Sequence, residues 1–458
     1  MTDRRSFIQQ SAALLGGLAL HNTLDAAYPG LPVSPFGRLR ATLDGGHDGE
    51  SAFWHHVRAA FACSPTLINL NNGGVSPSPR AAMEALDHYN RMCNEAPSYY
   101  MWRILDQDRE PLRMNLAALA GVPHDELAIC RNATEALNTI IFGLPLKAGD
   151  EVVMSTYDYP NMYNAWRQRA LRDDVKLVYA DPQLPSENEG AMVEAFTSKF
   201  SAKTKLVHIT HIVNWNGQIL PVRKIADAAH ARGIEVLVDA AHSFALLDYK
   251  IPDLGCDYWG TSLHKFLCAP FGNGLMWVKK EKIGKLWPLL SNDKPQGDDI
   301  RKFETLGTRS FPVEMATGYS LDLHNMIGSA RKQQRLHFLK NYWMERVKDV
   351  PGIFFKTSLN PSYGCAIGAF GMEGKKATAL SEQLFAKWKI HTVAIEREAK
   401  PGIEAPFNHV RVTPNVYTTT QELDRLVEAI HTIGGAPGIV HPPAVLPLPV
   451  NIPIFFAL

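Results

Sequence analysis

The sequence predicts an α/β protein, in which a large domain with a mainly parallel sheet precedes a smaller C-terminal α/β domain. Between residues 132 and 278, short apolar runs alternate with helical patterns, separated by Gly- or Pro-containing turns. This alternation is typical of a parallel sheet with helices on both faces. One run, residues 234–238, is almost entirely apolar, the pattern of a strand buried on both faces. After Pro312 the pattern changes to long helices, which indicates a second domain.

The individual elements follow in chain order from residue 51. The large domain is predicted to contain helices at 81–94 and 106–119, a helix at 136–142 opened by 132–135, a strand at 151–155, a helix at 163–171, a strand at 175–180, a helix at 192–200, a strand at 205–212, a helix at 222–232, and strands at 235–239 and 274–278. The second domain is predicted to contain helices at 314–338, 342–347, 377–388 and 420–432.

The composition is that of a soluble globular protein and excludes several classes of function. The chain has 458 residues, 46% of them hydrophobic and 20% charged, enough for two or three domains. Its net charge is +1 and it lacks a dense basic run, so no nucleic-acid partner is predicted. Neither a metal site nor a disulfide framework is predicted, because no CxxC spacing occurs among the six cysteines, Cys63, Cys93, Cys130, Cys256, Cys268 and Cys365.

Residues 1–27 have the features of a twin-arginine export signal. Arg4 and Arg5 precede an apolar stretch, residues 12–20, that is too short to span a membrane. An amphipathic helix or a frayed terminus is the alternative interpretation. Because the twin-arginine machinery carries folded proteins, the sequence predicts a folded protein in the periplasm. A signal that stays uncleaved and holds the protein at the membrane remains open.

The rest of the chain divides by composition. Residues 28–50 are rich in Pro and Gly and are expected to form an extended arm. The large domain is predicted at 51–312, with its N-terminal segment in contact with the small domain at 313–435. Residues 436–458 form a tail with six prolines and no charged residue, which excludes a transmembrane helix.

Lys265 and Asp239 together indicate which cofactor the protein uses. Asp239 ends the apolar strand, where a carboxylate is costly unless a cation pairs with it. Taken singly, the aspartate could be a helix cap and Lys265 a surface charge. Together they are what pyridoxal phosphate requires, since a lysine amine holds this cofactor as a Schiff base and an acid keeps its pyridine nitrogen protonated. The carboxyl end of a parallel strand is also where α/β proteins bind ligands.

Two further motifs could hold the cofactor's phosphate. Asn132-Ala133-Thr134-Glu135 lies at a predicted helix N-terminus, where free backbone N–H groups and the Thr134 hydroxyl can bind phosphate. A capping box is the alternative, and the two interpretations are compatible. Ser262 and His264 flank Lys265 and offer a hydroxyl and an imidazole to the same group.

These residues together resemble the class V aminotransferase family of fold-type-I pyridoxal phosphate enzymes. The motifs that resemble the isopenicillin N epimerase-like branch most are Leu70-Asn-Asn-Gly-Gly74 and Phe303-Glu-Thr-Leu-Gly-Thr-Arg309. The similarity spans roughly residues 68–430. It implies a mainly parallel sheet of seven strands and a smaller C-terminal domain.

The resemblance also implies roles around the cofactor ring. Asp239 would pair with the pyridine nitrogen, and His242 and Asn214 would lie near the phenolic oxygen. Tyr159 would stack on the ring, where relatives often carry His, and an aromatic face suits that position. For Tyr159, His242 and Asn214, a satisfied polar group of the core is the alternative.

Substrate and subunit contacts are implied in the same way. Arg411 matches the arginine that grips the substrate carboxylate, for which a planar guanidinium is well suited. Thr308 matches a phosphate contact donated by the partner subunit, which implies a homodimer with shared active sites.

The predicted function is an exported enzyme that acts on an amino-acid moiety, most simply as a transaminase. Epimerization and β-elimination or C–S cleavage start from the same cofactor bond to Lys265 and stay open. A cysteine desulfurase is disfavoured, because residues 393–409, where that group carries its nucleophile, contain no cysteine. Export favours the tailoring of a secreted peptide or siderophore, as in the periplasmic pyoverdine-maturation enzymes, over free amino acid metabolism. A non-catalytic binding protein with this fold is the alternative from another class.

Overall fold

The computed structural model of the protein describes residues 50–397 and 407–435. The predicted signal, the tail and all but the last residue of the predicted arm lie outside these residues. The helices are α1 (Glu50–Ala59), α2 (Arg80–Glu95), α3 (Asp106–Ala120), α4 (Ala133–Gly143), α5 (Pro160–Asp173), α6 (Glu189–Thr197), α7 (Val222–His230), α8 (Ile251–Leu254), α9 (Lys280–Ile283), α10 (Phe311–Ile327), α11 (Ser329–Val347), α12 (Ala377–Trp388) and α13 (Thr420–Ile433). A helical turn (Pro97–Tyr99) and a π-helix (Tyr100–Leu105) join α2 to α3.

The strands form three sheets. They are β1 (Ile68–Asn69), β2 (Leu127–Cys130), β3 (Glu151–Ser155), β4 (Lys176–Ala180), β5 (Thr204–Thr210), β6 (Glu235–Asp239), β7 (Tyr258–Ser262), β8 (Gly274–Val278), β9 (Ile353–Phe355), β10 (Gly368–Met372), β11 (Ile390–His391), β12 (Val393–Arg397) and β13 (Phe407–Val412). The main sheet has seven strands in the order β2-β8-β7-β6-β5-β3-β4, and β12-β13-β10-β9 form a second sheet. The predicted α/β fold with a seven-stranded sheet and a smaller C-terminal sheet is confirmed.

The main sheet is parallel from β7 to β4 and antiparallel where β8 joins β7 and β2. Both of its faces are covered, as the apolar run of β6 predicts. Val236 and Val238 enter the core on one face, while Leu237 enters the core on the other. Since parallel strands end at one edge, the residues that follow β3, β5 and β6 come together there.

The N-terminal segment connects the two sheets. β1 pairs with β11 in parallel, Ile68 opposite Ile390, and in the loop after β1 Asn71 bridges to Thr413, the residue that follows β13. Arg58 of α1 donates two hydrogen bonds to the Glu422 carboxylate of α13, at 2.9 and 3.0 Å. Through its bridge from Asn71 to Thr413, the loop after β1, residues 70–76, contacts the second sheet.

Two details of the predicted secondary structure were wrong. A continuous helix was predicted at 314–338, but α10 ends at Ile327 because Gly328 adopts a φ of +85°. A break was expected after residue 338, whereas α11 continues through it to Val347. In addition, β2 and β7 were not predicted, although β7 carries Ser262. None of the helices within the described ranges is long and apolar enough to cross a membrane.

Candidate active site

A cavity of about 350 Å³ lies at the carboxyl edge of the main sheet. It is called the central cavity below. Its walls include every predicted site residue except Thr308, namely Ala133, Thr134, Tyr159, Asn214, Asp239, His242, Ser262, His264, Lys265 and Arg411. The strand ends and the loops that follow them therefore bring together residues that are far apart in the sequence.

Asp239 is the last residue of β6 and is buried. Its Oδ1 accepts a hydrogen bond from the Ala241 N–H at 2.9 Å. Burial raises the pKa of this carboxyl, while the Ala241 N–H and the charge of Lys265 oppose that rise. A protonated ring nitrogen beside Asp239 would supply the cation that a buried carboxylate needs.

The Lys265 amine lies against His242. Its Nζ is 3.2 Å from His242 Nε2 and 3.5 Å from Nδ1. His242 Nε2 is also 2.8 Å from the Gly73 carbonyl, which can only accept, so Nε2 carries the proton there. Burial, then the charges of Lys265 and Arg411, hold the pKa of His242 well below its ordinary value. The imidazole is therefore neutral and leaves Nδ1 as an acceptor.

Lys265 itself is set up as a nucleophile. Burial lowers its pKa from 10.5 to about 8, with Arg411 acting in the same direction and Asp239 against it. Near neutral pH a useful fraction of this amine is therefore uncharged, which is the form that attacks a carbonyl carbon.

The N-terminus of α4 closes one end of the central cavity. The Ala133 N–H donates to Ser262 Oγ at 2.8 Å, and Thr134 is exposed. Asn132 caps the helix, since its Oδ1 accepts from the Glu135 N–H at 2.9 Å. The capping alternative thus coexists with an open helix terminus that can bind an anion.

His264 and Gly274 also influence the cavity near the N-terminus of α4. Burial and the charge of Lys265 lower the pKa of His264 to about 4, so His264 can contribute hydrogen bonds but no positive charge. Gly274 lets β8 pass close to α4: a Cβ there would lie 2.6 Å from Asn132 Cα and 2.7 Å from the Thr261 carbonyl oxygen. A side chain at 274 would push away the helix terminus.

Arg411 is a buried cation that also lines the central cavity. Its Nη1 donates to the Asn214 carbonyl at 2.9 Å and its Nη2 to Asn71 Oδ1 at 3.0 Å. Its Nε has no hydrogen-bond partner, and no carboxylate within residues 50–397 and 407–435 forms a salt bridge with it. Burial lowers its pKa to about 10, so it remains charged at neutral pH. A buried guanidinium without a counter-ion fits an anionic group of a substrate.

The remaining predicted residues differ in placement. Tyr159 precedes α5 and presents a 40% exposed side chain to the central cavity. The main-chain carbonyl of Asn214 accepts from Arg411, and its side-chain Oδ1 has no hydrogen-bond partner in the part of the chain that the structure describes. Thr308 is exposed and does not line the cavity of its own chain, so its predicted contact with the partner subunit's cofactor stays a prediction.

Sequence reasoning missed residues that support the site. The resemblance singled out Asn71 and Gly73 only as part of a motif, but they contact Arg411 and His242. Asp158, next to Tyr159, is fully buried and accepts from Thr210 Oγ1 at 2.5 Å, and burial raises its pKa to about 8. A charged residue between two tyrosines, in a loop after a buried strand, was the available signal for Asp158.

The sequence model of the aminotransferase class-V family matches residues 68–426, a span that includes the whole central cavity. The chain belongs to the aminotransferase class-V family. Membership confirms the predicted family, the prediction of an enzyme and its dependence on pyridoxal phosphate, while the reaction type stays open. The residues fit that cofactor, with a buried acid, an enclosed amine, an open helix terminus and unpartnered polar atoms in one cavity.

Two curated relatives carry the name isopenicillin N epimerase. The protein from Streptomyces clavuligerus is 28% identical over 402 residues, which cover 84% of this chain and 99% of that protein. The protein from Amycolatopsis lactamdurans is 27% identical and covers 82% of this chain and 98% of its own length. The similarity to the epimerase-like branch is therefore confirmed.

Other members of the family are similar at comparable levels. A probable cysteine desulfurase from Synechocystis is 29% identical over 68% of this chain and 77% of its own. Among solved structures, a mutant of C-DES with glycine covalently linked to its PLP cofactor has a TM-score of 0.72 at 20% identity, covering 82% of this chain and 98% of its own. At that identity the likeness shows the fold.

Proposed function

We propose that this protein is an exported pyridoxal phosphate enzyme that transaminates an amino-acid moiety. The observation that carries the proposal is the Lys265 amine, whose pKa is lowered by burial, in one cavity with Asp239 and with Arg411, for which the described residues supply no counter-ion. An amine, an acid and a carboxylate-binding cation are the three groups that chemistry at an amino acid's Cα requires.

When bound, pyridoxal phosphate supplies an electron sink for the charge that develops at the substrate Cα. Lys265 would hold the cofactor through its amine and would move the proton at the substrate Cα. Asp239 would hold a proton at the ring nitrogen. Arg411 orients the substrate by its carboxylate.

The other residues of the central cavity position the cofactor. Ser262 and the N-terminus of α4, with Ala133 and Thr134, would hold the phosphate, and His264 would add a neutral donor. Tyr159 would cover the ring and exclude water. His242 and Asn214 would bind the phenolic oxygen. These assignments rest on the placement of the side chains around Lys265 and on the family's pattern.

Epimerization is the second candidate, favoured by the two relatives of that name. It requires a proton to return to the opposite face of Cα, a task that Lys265 alone performs less easily than proton movement on one face. A C–S or β-lyase would use the same first steps. Sulfur transfer through an enzyme persulfide is disfavoured, because residues 393–409 contain no cysteine.

The visible absorption spectrum of the purified protein tests the proposal. Addition of a true amino donor should shift the band of the lysine-bound cofactor to that of the amine form, and an added keto acid should reverse it. Loss of optical purity of the amino acid without this shift would favour epimerization instead. Release of a keto acid and ammonia would favour a lyase.

Matched variants test whether Lys265 is the amine that bonds the cofactor. Lys265→Ala should abolish the covalent band while the protein folds normally. Lys340→Ala is the control, because burial also lowers the pKa of Lys340 to about 8 although it lies outside the central cavity. A covalent band that survives in Lys265→Ala would refute the assignment.

Export and its consequence are proposals supported by sequence. Arg4 and Arg5 before the apolar residues 12–20 favour the twin-arginine machinery and the periplasm. A periplasmic enzyme would act on a secreted peptide or siderophore. Cell fractionation should find the protein in the periplasm, and conversion of both Arg4 and Arg5 to Lys should retain it in the cytoplasm. Periplasmic accumulation of that double variant would exclude the signal.

A homodimer with shared sites is proposed from the family and from Thr308, which is exposed outside its own chain's cavity. If Thr308 serves the partner's phosphate site, Thr308→Ala should weaken cofactor binding without changing the central cavity. Light scattering that finds only monomers at assay concentration would refute the shared site.

A further inference from the structure

Asp158 and Asp239 are two buried carboxyls at the same edge of the main sheet. Asp158 lies three residues after β3 and is 1% exposed, and Asp239 ends β6 and is 4% exposed. No Lys, Arg or His within residues 50–397 and 407–435 forms a salt bridge with either of them. Because a buried charge without a partner is costly, the two carboxyls need a cation or a proton.

The surroundings of Asp158 favour its neutral form. Burial raises the pKa of this carboxyl to about 8, with the charge of Asp239 acting in the same direction and the hydrogen bonds from Thr210 and the Ser155 N–H against it. The titratable or charged groups of neighbouring elements that approach this loop are Asp239 of β6, Tyr163 of α5, Asp181 after β4 and Arg397 of β12. Arg397, the cation in this set, donates to the Thr156 carbonyl at 2.7 Å and forms no salt bridge with Asp158 in the described chain.

A bound cofactor would bring one positive ring nitrogen to two carboxyls. Asp239 lines the central cavity, whereas Asp158 is not among the residues that line it. The ring nitrogen can therefore pair with Asp239 and leaves Asp158 without a cation. Since like charges disfavour each other's ionised form, an ionised Asp239 adds a reason for Asp158 to keep its proton.

Thr210 connects Asp158 to the central cavity. It lines the cavity and lies opposite Asp239 in the pairing of β5 with β6. Its Oγ1 is 2.5 Å from Asp158 Oδ1, while Asp158 Oδ2 accepts from the Ser155 N–H at 2.9 Å. A proton on Asp158 therefore belongs on Oδ1, facing the hydroxyl, and the positions of the two oxygen atoms fit donation in either direction. If Asp158 donates, the hydroxyl hydrogen of Thr210 becomes available to an acceptor in the cavity.

We propose that Asp158 carries a proton in the cofactor-loaded enzyme at neutral pH and turns the Thr210 hydroxyl toward the central cavity as a hydrogen-bond donor beside Asp239. Asp158 is then a positioning residue, and Thr210 is a further residue of the cofactor site. The inference rests on the ring nitrogen lying beside Asp239, as in the proposed function, and it holds whichever reaction follows.

Infrared spectroscopy tests the proton on Asp158 without turnover. The full-length, cofactor-loaded protein is prepared with ¹³C-labelled aspartate, and the C=O stretch of protonated carboxyls is recorded at pH 7. The wild type should show a band that Asp158→Asn lacks. Asp174→Asn, which changes an exposed aspartate, is the control and should leave the band in place. Identical spectra of the wild type and Asp158→Asn in this region would mean that Asp158 is ionised and would overturn the proposal.

Binding of pyridoxamine phosphate to the cofactor-free protein tests the link to Thr210. This form of the cofactor has no carbonyl group and cannot bond Lys265, so its affinity reports the noncovalent contacts. Thr210→Val should weaken binding about tenfold, the loss of one good hydrogen bond, and Thr210→Ser should restore it to within about twofold of the wild type.

Asp158→Asn should also bind pyridoxamine phosphate within about twofold of the wild type, because its amide can donate to Thr210 and accept from Ser155 as the protonated acid does. A loss in Asp158→Asn as large as that in Thr210→Val would show that a charge is needed at 158 and would overturn the proposal. Unchanged affinity in Thr210→Val would also overturn it. In either case a lysine-bound cofactor band in the wild type would leave the proposed function standing, whereas its absence would refute that function instead.

Discussion

Raising the pH around the cofactor-free protein is expected to switch on covalent capture of pyridoxal phosphate by Lys265, with a midpoint near pH 8. The neutral amine is the nucleophile, so capture should be slow below the pKa of Lys265 and reach a plateau above it. The direction follows from burial, which favours the uncharged form of a lysine.

The size of the effect follows from the pKa of about 8, against an ordinary value of 10.5. At pH 7, roughly one amine in ten is neutral when the pKa is 8, compared with about 0.03% for an ordinary lysine. Capture by Lys265 at pH 7 should therefore be roughly 300-fold faster than capture by a lysine of equal reactivity with an ordinary pKa.

Two variants should move the midpoint in opposite directions. Arg411 lowers the pKa of Lys265, so Arg411→Gln should move the midpoint to higher pH. Asp239 raises that pKa, so Asp239→Asn should move the midpoint to lower pH. Because no substrate is present, a shift in Arg411→Gln cannot arise from substrate binding.

Stopped-flow absorbance of the covalent band, recorded from pH 6 to 10, measures the midpoint. Lys265→Ala supplies the background from other amines. A wild-type midpoint near pH 10, or a shift of both variants in the same direction, would refute the electrostatic account of the site.

Other substitutions test the remaining contacts. Ser262→Ala removes the hydroxyl that meets the Ala133 N–H and should weaken cofactor binding about tenfold in equilibrium dialysis, the loss of one good hydrogen bond; unchanged affinity would exclude Ser262 from the phosphate site. Tyr159→Ala should weaken cofactor binding by roughly 1 kcal/mol, the worth of an aromatic contact, and Tyr159→His should restore most of it. Glu304 accepts hydrogen bonds from both guanidinium nitrogens of Arg113 and from the Ile129 N–H, so Glu304→Gln should lower the free energy of unfolding by about 3 kcal/mol in urea denaturation. A loss below 1 kcal/mol would mean that the buried pair contributes little.

The sequence predicted the part of the site that consists of strand ends and the residues next to them. Asp239 and Lys265 could be found because a polar residue that ends an apolar strand is a local pattern. Asn71 could not, since its role depends on the loop after β1, which is held by the pairing of β1 with β11 and by the bridge from Asn71 to Thr413, and no local pattern specifies these pairings. For the same reason the short antiparallel edge strand β2 was missed.

Helix boundaries failed for a different reason. The residues from 314 to 338 have helical periodicity throughout, and only the conformation of Gly328 separates α10 from α11. A glycine inside a helical pattern is compatible with either outcome. The position of Thr308 relative to a cofactor depends on a second chain, so it could not be derived from one sequence.

The contact between Asn71 and Arg411 joins residues 340 positions apart. A contact between residues so far apart in the sequence closes a long loop, which carries an entropic cost. Among the strands that the structure describes, synthesis delivers β13 last, after α4, β6, β7 and Lys265 have left the ribosome. During synthesis, the residues proposed to hold the cofactor therefore exist before the arginine proposed to bind the substrate. The proposed cofactor site and the proposed substrate site are thus completed at different times.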